Sequence, residues 1–197
     1  MYISIHPATD ARPRPHPITG RPMTTRRDRC TLDALNRLDE TQFTRALGDV
    51  FEHSPWVAAG VWRERPFADV AALHRSMAGR VLSASRSRRL ALLRAHPELA
   101  GREAQEGTLT GSSAREQARA GLSALSRDEI ARIARLNADY RARFGFPFVI
   151  AVGNYTKRGV LREFERRLAN DPETEFDICV EQVCEIGLIR LERMLGN

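Results

Sequence analysis

Lysine is almost missing from this chain: Lys157 is the only one, and arginine carries nearly all the positive charge. With 31 basic and 25 acidic residues the formal net charge is +6, and the sequence pI is about 10.0. Such a balance invites a nucleic-acid reading. The acids are interleaved with the arginines, however, as in Arg162-Glu163-Phe164-Glu165-Arg166-Arg167, so no nucleic-acid partner is expected. Cysteine is scarce too. Cys30, Cys179 and Cys184 make no disulfide framework and read as free thiols in a reducing compartment. No apolar run approaches the roughly 20 residues of a bilayer span, which argues against a membrane. No histidine pair has HExxH spacing, and there is no phosphate loop, dinucleotide fingerprint or G-x-S-x-G. Metal: none and cofactor: none are the expectations that remain.

What the chain does have is helical patterning. Residues 1–29 are an exception: Pro7, Pro13, Pro15, Pro17 and Pro22 lie among scattered arginines with no period, which reads as a disordered extension without the apolar stretch of a secretory signal. Residues 30–197 read as one domain, with 42% hydrophobic residues across the chain to fill a core. Phe43, Leu47, Val50 and Phe51 repeat at helical spacing, as do Phe67, Val70, Leu73 and Met77. Leu90, Leu92 and Leu93 form a shorter patch. Ser126 with Glu129 is a capping box opening the stripe Ile130, Ile133, Leu136, Tyr140. Val160, Leu161, Phe164 and Leu168 precede Asn170-Asp171-Pro172, and a last helix carries Phe176, Val180, Val183, Leu191 and Met194. Only Phe146 to Val152 looks strand-like, and one strand cannot make a sheet. The expectation is an all-α, single-domain bundle of about seven to nine helices.

Three segments could carry chemistry. In Leu93-Arg94-Ala95-His96-Pro97-Glu98-Leu99-Ala100-Gly101 the proline disfavours helix at the residue before it, so His96 sits at a backbone break after an apolar helix. Imidazole is the side chain suited to proton exchange near neutral pH, though one at a helix end also serves as a cap. Ser113, Glu116 and Gln117 put hydroxyl, carboxylate and amide on one short segment. The Ser113/Glu116 spacing also fits a capping box, and a helix start is itself an anion site. Phe148 to Val152 is an apolar stretch between Gly145, Pro147 and Gly153-Asn154. Its irregular backbone could grip a flat, amide-rich heterocycle. His53 reads as a helix end and His74 as a helix-face residue.

The motifs EHSPWVAAGVWRERPF, HPELAG, SxxEQxxAGL and LNADYRARFGFPFVIAV, in chain order between about Leu35 and Leu195, resemble those of the 2-oxo-4-hydroxy-4-carboxy-5-ureidoimidazoline (OHCU) decarboxylases. The resemblance implies a cofactor-independent carboxy-lyase that produces (S)-allantoin in urate catabolism. It also implies an all-helical fold, a homodimer, and functional coupling to urate oxidase and hydroxyisourate hydrolase. It implies His96 and Glu116 as catalytic residues. Substrate contacts would come from Pro97, from Ser113, Ala114, Arg115, Glu116 and Gln117, and from Phe148, Val149, Ile150, Ala151 and Val152. An arginine also belongs to such sites; Arg190 is the choice, with Arg162, Arg166 and Arg167 as competitors. The last residues, Leu195-Gly196-Asn197, are not a peroxisomal tripeptide, so a cytoplasmic location is expected. The rival readings are a decarboxylase of a related ureido or imidazoline carboxylate and a non-catalytic basic helical binding module.

Overall fold

The computed structural model describes residues 31–196; the proposed extension over 1–29, and Cys30, lie outside the described residues. The described residues are all-α, with no strand. Ten α-helices follow one another: α1 (Leu32–Arg37), α2 (Glu40–Leu47), α3 (Pro55–Val61), α4 (Val70–Leu82), α5 (Arg86–Arg94), α6 (Arg102–Glu106), α7 (Gly111–Arg119), α8 (Arg127–Phe144), α9 (Lys157–Arg167) and α10 (Pro172–Leu195). Eight of them have at least seven residues, in keeping with the periodicity; α1 and α6 are the short additions.

Side-chain caps set most helix starts. Thr31, Asp39, Asp69, Ser85, Thr110, Ser126, Thr156 and Asp171 each accept a backbone N–H three residues on. This satisfies a donor that would otherwise be orphaned. The capping box at Ser126 and Glu129 is present in both directions. The one at Ser113 and Glu116 is not: α7 starts earlier, Thr110 is its cap, and Ser113 is the residue that donates its N–H to the Thr110 hydroxyl. Ser113 and Glu116 therefore lie inside the helix, free to act elsewhere.

α10 is the spine. Its buried face, Phe176, Cys179, Val180, Val183, Ile186, Gly187, Arg190 and Leu191, recurs every three to four residues and packs on α4, α5 and α8. Each large apolar side chain fully buried there contributes on the order of 1.5–3 kcal/mol. The turn after α2 presses Phe51 onto this face at Gly187, where an added Cβ would come within 2.7 Å of the Phe51 ring. That close approach needs glycine.

Phe146 to Val152 runs without regular structure, then becomes a single 3-10 turn at Val152–Asn154. It has no strand to pair with, so side chains take its polar groups. Arg167 donates to the Val149 carbonyl at 2.9 Å, and Ala151 N–H donates to Gln182 at 2.9 Å. Beneath it, the Phe148 ring stacks on Phe164 with centroids 4.0 Å apart, and the edge of Tyr140 meets Phe148 at 5.3 Å. The segment is thus propped from behind and presents its other side to the cleft described next.

Candidate active site

α5 ends at Arg94, and His96 follows one residue past its cap, at the break its proline neighbour imposes. The ring is buried, 8% exposed. Nδ1 lies 2.9 Å from the Leu92 carbonyl, so it carries the proton and donates, and the ring does cap the helix end. Nε2 is then left as an acceptor, buried and with no partner among the described residues. Burial pulls the His96 pKa below its ordinary 6.5. Arg190 pushes the same way, against the Leu92 hydrogen bond and the charges of Glu52 and Glu116. The resting imidazole is neutral.

Next to it lies a buried ionic cluster. Arg190 donates Nε to Glu116 Oε1 and Nη2 to Glu116 Oε2, both at 2.9 Å, a two-pronged contact that fixes the carboxylate plane. Nη2 also donates to Ser113 Oγ at 3.1 Å, and Nη1 to the Asp49 carbonyl at 3.1 Å. The Glu52 carboxylate sits 2.7 Å from Nη1. Every N–H of this guanidinium therefore has a protein partner. Burial opposes the charge on Arg190, but the contacts to Glu116 and Glu52 win and hold its pKa above the ordinary value. For Glu52, burial alone would raise the pKa. Arg190 and the Thr110 hydrogen bond overcome that and hold it below the usual 4.5. Arg193, one turn further along α10, reaches Glu116 more loosely at 3.5 Å.

The cleft between these groups has an empty volume of about 350 Å³, counting the space at its open mouth. Its lining joins the three sequence segments: His96, Pro97, Ser113, Glu116, Gln117, Phe148, Val149, Ile150, Val152 and Arg190, with Leu99 and Ile186. Ala114 and Arg115 face outward and are exposed, and Ala151 is buried behind the lining. Gln117 serves the His96 loop. Its Oε1 accepts from Ala100 N–H at 2.9 Å and its Nε2 donates to the Glu98 carbonyl at 3.3 Å. Asn137 donates to the Leu99 carbonyl at 3.0 Å from the other side. These two amides hold a strained turn, since Ala100 has φ +47° without being glycine.

Of the arginines, Arg190 is the one at the cleft. Arg162 and Arg166 are exposed on α9, and Arg167 is buried behind the Phe148 segment against Glu175. His53 and His74 stand apart: His53 is in a turn with φ +47°, and His74 Nε2 lies 2.9 Å from the Cys184 carbonyl. Cys179 and Cys184 are unpaired, and burial pushes the Cys184 thiol up to about 11. Among the described residues no group of three or more His, Cys, Asp or Glu could hold a metal ion. Sequence reading missed Glu52 and Thr110. The signal available for Glu52 was its place in Val50-Phe51-Glu52, a charge directly following two apolar residues of a core stripe.

A neutral imidazole with a bare Nε2, a fixed carboxylate and an apolar wall suit proton transfer to a small polar ring. Comparison with known proteins points the same way. The family model described as OHCU decarboxylase matches residues 36–192. The 2-oxo-4-hydroxy-4-carboxy-5-ureidoimidazoline decarboxylase of Haloferax volcanii is 43% identical over 85% of this chain and 97% of its own. The protein of the same name from Mus musculus is 41% identical over 82% of this chain and 91% of its own. A crystal structure of (S)-allantoin synthase superposes with a TM-score of 0.68 at 29% identity, covering 84% of this chain; the chain spans about half, 54%, of that one.

Proposed function

The chain belongs to the OHCU decarboxylase family, and from that membership we propose that it converts 2-oxo-4-hydroxy-4-carboxy-5-ureidoimidazoline to (S)-allantoin and carbon dioxide. The observation that carries the reading is His96 Nε2: a buried imidazole nitrogen at a cleft, with its other nitrogen tied to Leu92 and no partner of its own. A core histidine would be expected to find one.

The chemistry follows from the substrate. Hydroxyl and carboxylate share one ring carbon, and the carbon next to it bears the ureido group. Breaking the bond to the carboxylate releases carbon dioxide and leaves its electron pair on the ring, where the adjacent C=N unit takes it up. One proton replaces the lost carboxylate overall. It is fixed at the ureido-bearing carbon, while the hydroxyl proton passes to the ring nitrogen that took up the electron pair and the hydroxyl becomes a carbonyl. His96 Nε2 carries the proton, a role that contributes on the order of 10²–10⁴-fold. Delivery from one face of the ring sets the single configuration. Glu116, clamped by Arg190, holds a fixed negative charge beside the imidazolium that forms. Pro97, Leu99 and the Phe148–Val152 segment hold the ring flat. No step calls on a cofactor.

The same reading makes the enzyme a cytoplasmic homodimer. It would draw its unstable substrate from urate oxidase and hydroxyisourate hydrolase. Among the described residues no helix is long and apolar enough to cross a membrane. Sedimentation at micromolar concentration tests the dimer.

Circular dichroism followed in time tests the activity, with urate oxidase and hydroxyisourate hydrolase generating the substrate in the cuvette. The expected result is rapid growth of the (S)-allantoin signal with this chain, lost in His96→Asn. An unchanged slow, racemising decay with folded protein would overturn the reading.

A further inference from the structure

We infer that Glu52, in the turn between α2 and α3, is a positioning residue of the decarboxylation site: its carboxylate clasps Ser113 and Arg190, and through Arg190 it fixes Glu116 against His96. This rests on the decarboxylase reading above and extends it to a residue outside the three sequence segments. Glu52 is 1% exposed and does not line the cleft, so it acts through its neighbours. Its Oε1 accepts from the Thr110 hydroxyl at 2.6 Å, its Oε2 from the Ser113 hydroxyl at 2.9 Å, and Arg190 Nη1 lies 2.7 Å from Oε2. Both hydroxyls at the start of α7, those of Thr110 and Ser113, are therefore turned to the chain's own carboxylate.

A second buried acid is redundant for neutralising Arg190, because Glu116 already does so, and burying it is costly. What it adds is geometry. Glu116 grips the Nε and Nη2 side of the guanidinium and Glu52 grips Nη1, so the plane can neither tilt nor slide toward the cleft. The backbone is bent to permit this. Phe51 is seated against Gly187, one turn before Arg190 on the same face of α10, and His53 takes φ +47° immediately afterwards. A non-glycine residue held there is strained, and strain persists where the surroundings enforce it. The two residues flanking Glu52 are thus fitted to aim it inward.

The groups facing His96 are Glu52 and Glu116, which favour its protonated form, and Arg190, which opposes it; Arg193 stands behind Glu116. Removing the Glu52 charge leaves Arg190 less balanced, so the imidazole becomes harder to protonate.

The test uses Glu52→Gln and Glu52→Asp in the full chain, with kcat, KM, thermal melting and an NMR titration of the His96 ring. In folded Glu52→Gln, kcat falls roughly 10–100-fold, the scale of losing a partner that orients a reacting group, while KM stays within about threefold. The His96 ring then titrates at lower pH than in the wild type. Glu52→Asp keeps the charge and the titration but cannot reach Thr110, Ser113 and Arg190 together, and it recovers kcat only in part. Wild-type kcat with an unshifted His96 titration in folded Glu52→Gln overturns the inference. If Glu52→Gln does not fold, wild-type kcat in Glu52→Asp overturns it equally. A wild-type enzyme that leaves the OHCU substrate untouched would sink the decarboxylase reading alone, since the His96 titration is read without substrate.

Discussion

The ring of Phe51 occupies the space that a side chain at position 187 would need, with its Cζ 2.7 Å from where a Cβ on Gly187 would stand. The contact joins the α2–α3 turn to α10 one turn before Arg190, so the seat of one ring sets the reach of the next residue, Glu52.

Gly187→Ala should therefore act on both stability and activity. Overpacking of this kind costs typically about 1–3 kcal/mol. Phe51 must move, and Glu52 with it, so kcat drops further than the loss of folded protein explains. Phe51→Leu in the Gly187→Ala background makes room and recovers melting temperature. Urea denaturation and kinetics on the three variants decide this; a Gly187→Ala protein with wild-type kcat would contradict it.

Stability should respond to pH through His96. Its pKa is lowered in the folded state from 6.5, mainly by burial, so below pH 6.5 the unfolded chain takes up a proton that the folded chain does not. Protons then favour unfolding. The contribution is present above 6.5 and is lost as the pH falls from there towards the folded pKa. The melting temperature should decline across this window, and His96→Asn should flatten the decline. Glu52 behaves with the same sign in a more acid range, since its stabilisation is present above 4.5 and lost as the pH falls through its lowered pKa. Scanning calorimetry between pH 4 and 8 on wild type and His96→Asn separates the two.

Two caps of the same chemistry should differ in their effects. Ser126 at the start of α8 is exposed and serves only its helix, so Ser126→Ala costs about 1 kcal/mol and leaves kcat alone. Thr110 caps α7 and also donates to Glu52. Thr110→Ala costs at least as much stability and lowers kcat severalfold. Equal kinetics in the two variants would show that the Thr110 hydroxyl matters to its helix alone.

Arg167 offers the converse case. It is 2% exposed and pairs with Glu175, which is fully buried, so Arg167→Met strands a carboxylate in the core at a cost of about 3–5 kcal/mol. It meets the cleft from behind, through the Val149 carbonyl that it holds and the Phe148 ring that its guanidinium covers at 4.5 Å. At low temperature, where the variant is folded, KM should rise while kcat per folded molecule stays within about tenfold. Collapse of kcat with KM unchanged would place Arg167 in the chemistry itself.

How much of this was legible in the sequence depended on the range of the interaction. The stripes through Phe43, Leu73, Ile133 and Phe164 are local, and each lies on a helix that buries it. His96 was legible because Pro97 fixes its backbone by steric rules that need no tertiary contact. The boundary of α7 was misplaced because Thr110 and Ser113 both open plausible caps, and only the structure shows which hydroxyl faces the free N–H. Phe146–Val152 looks strand-like by composition alone, and it runs without regular structure for the reason a lone strand must: nothing in the fold offers it a partner edge. Glu52 opens the EHSPW motif, but it is far from both Ser113 and Arg190 in sequence, and nothing in that motif names these partners.

Arg190 follows Glu52, His96 and Glu116 along the chain, and α10 is the last of the described helices. During synthesis the two carboxylates leave the ribosome well before the cation that balances them. Until then both have reason to stay in water, and the cleft has no floor. The balanced cluster therefore cannot exist until α10 has emerged and docked, bringing Arg190 between its two acids.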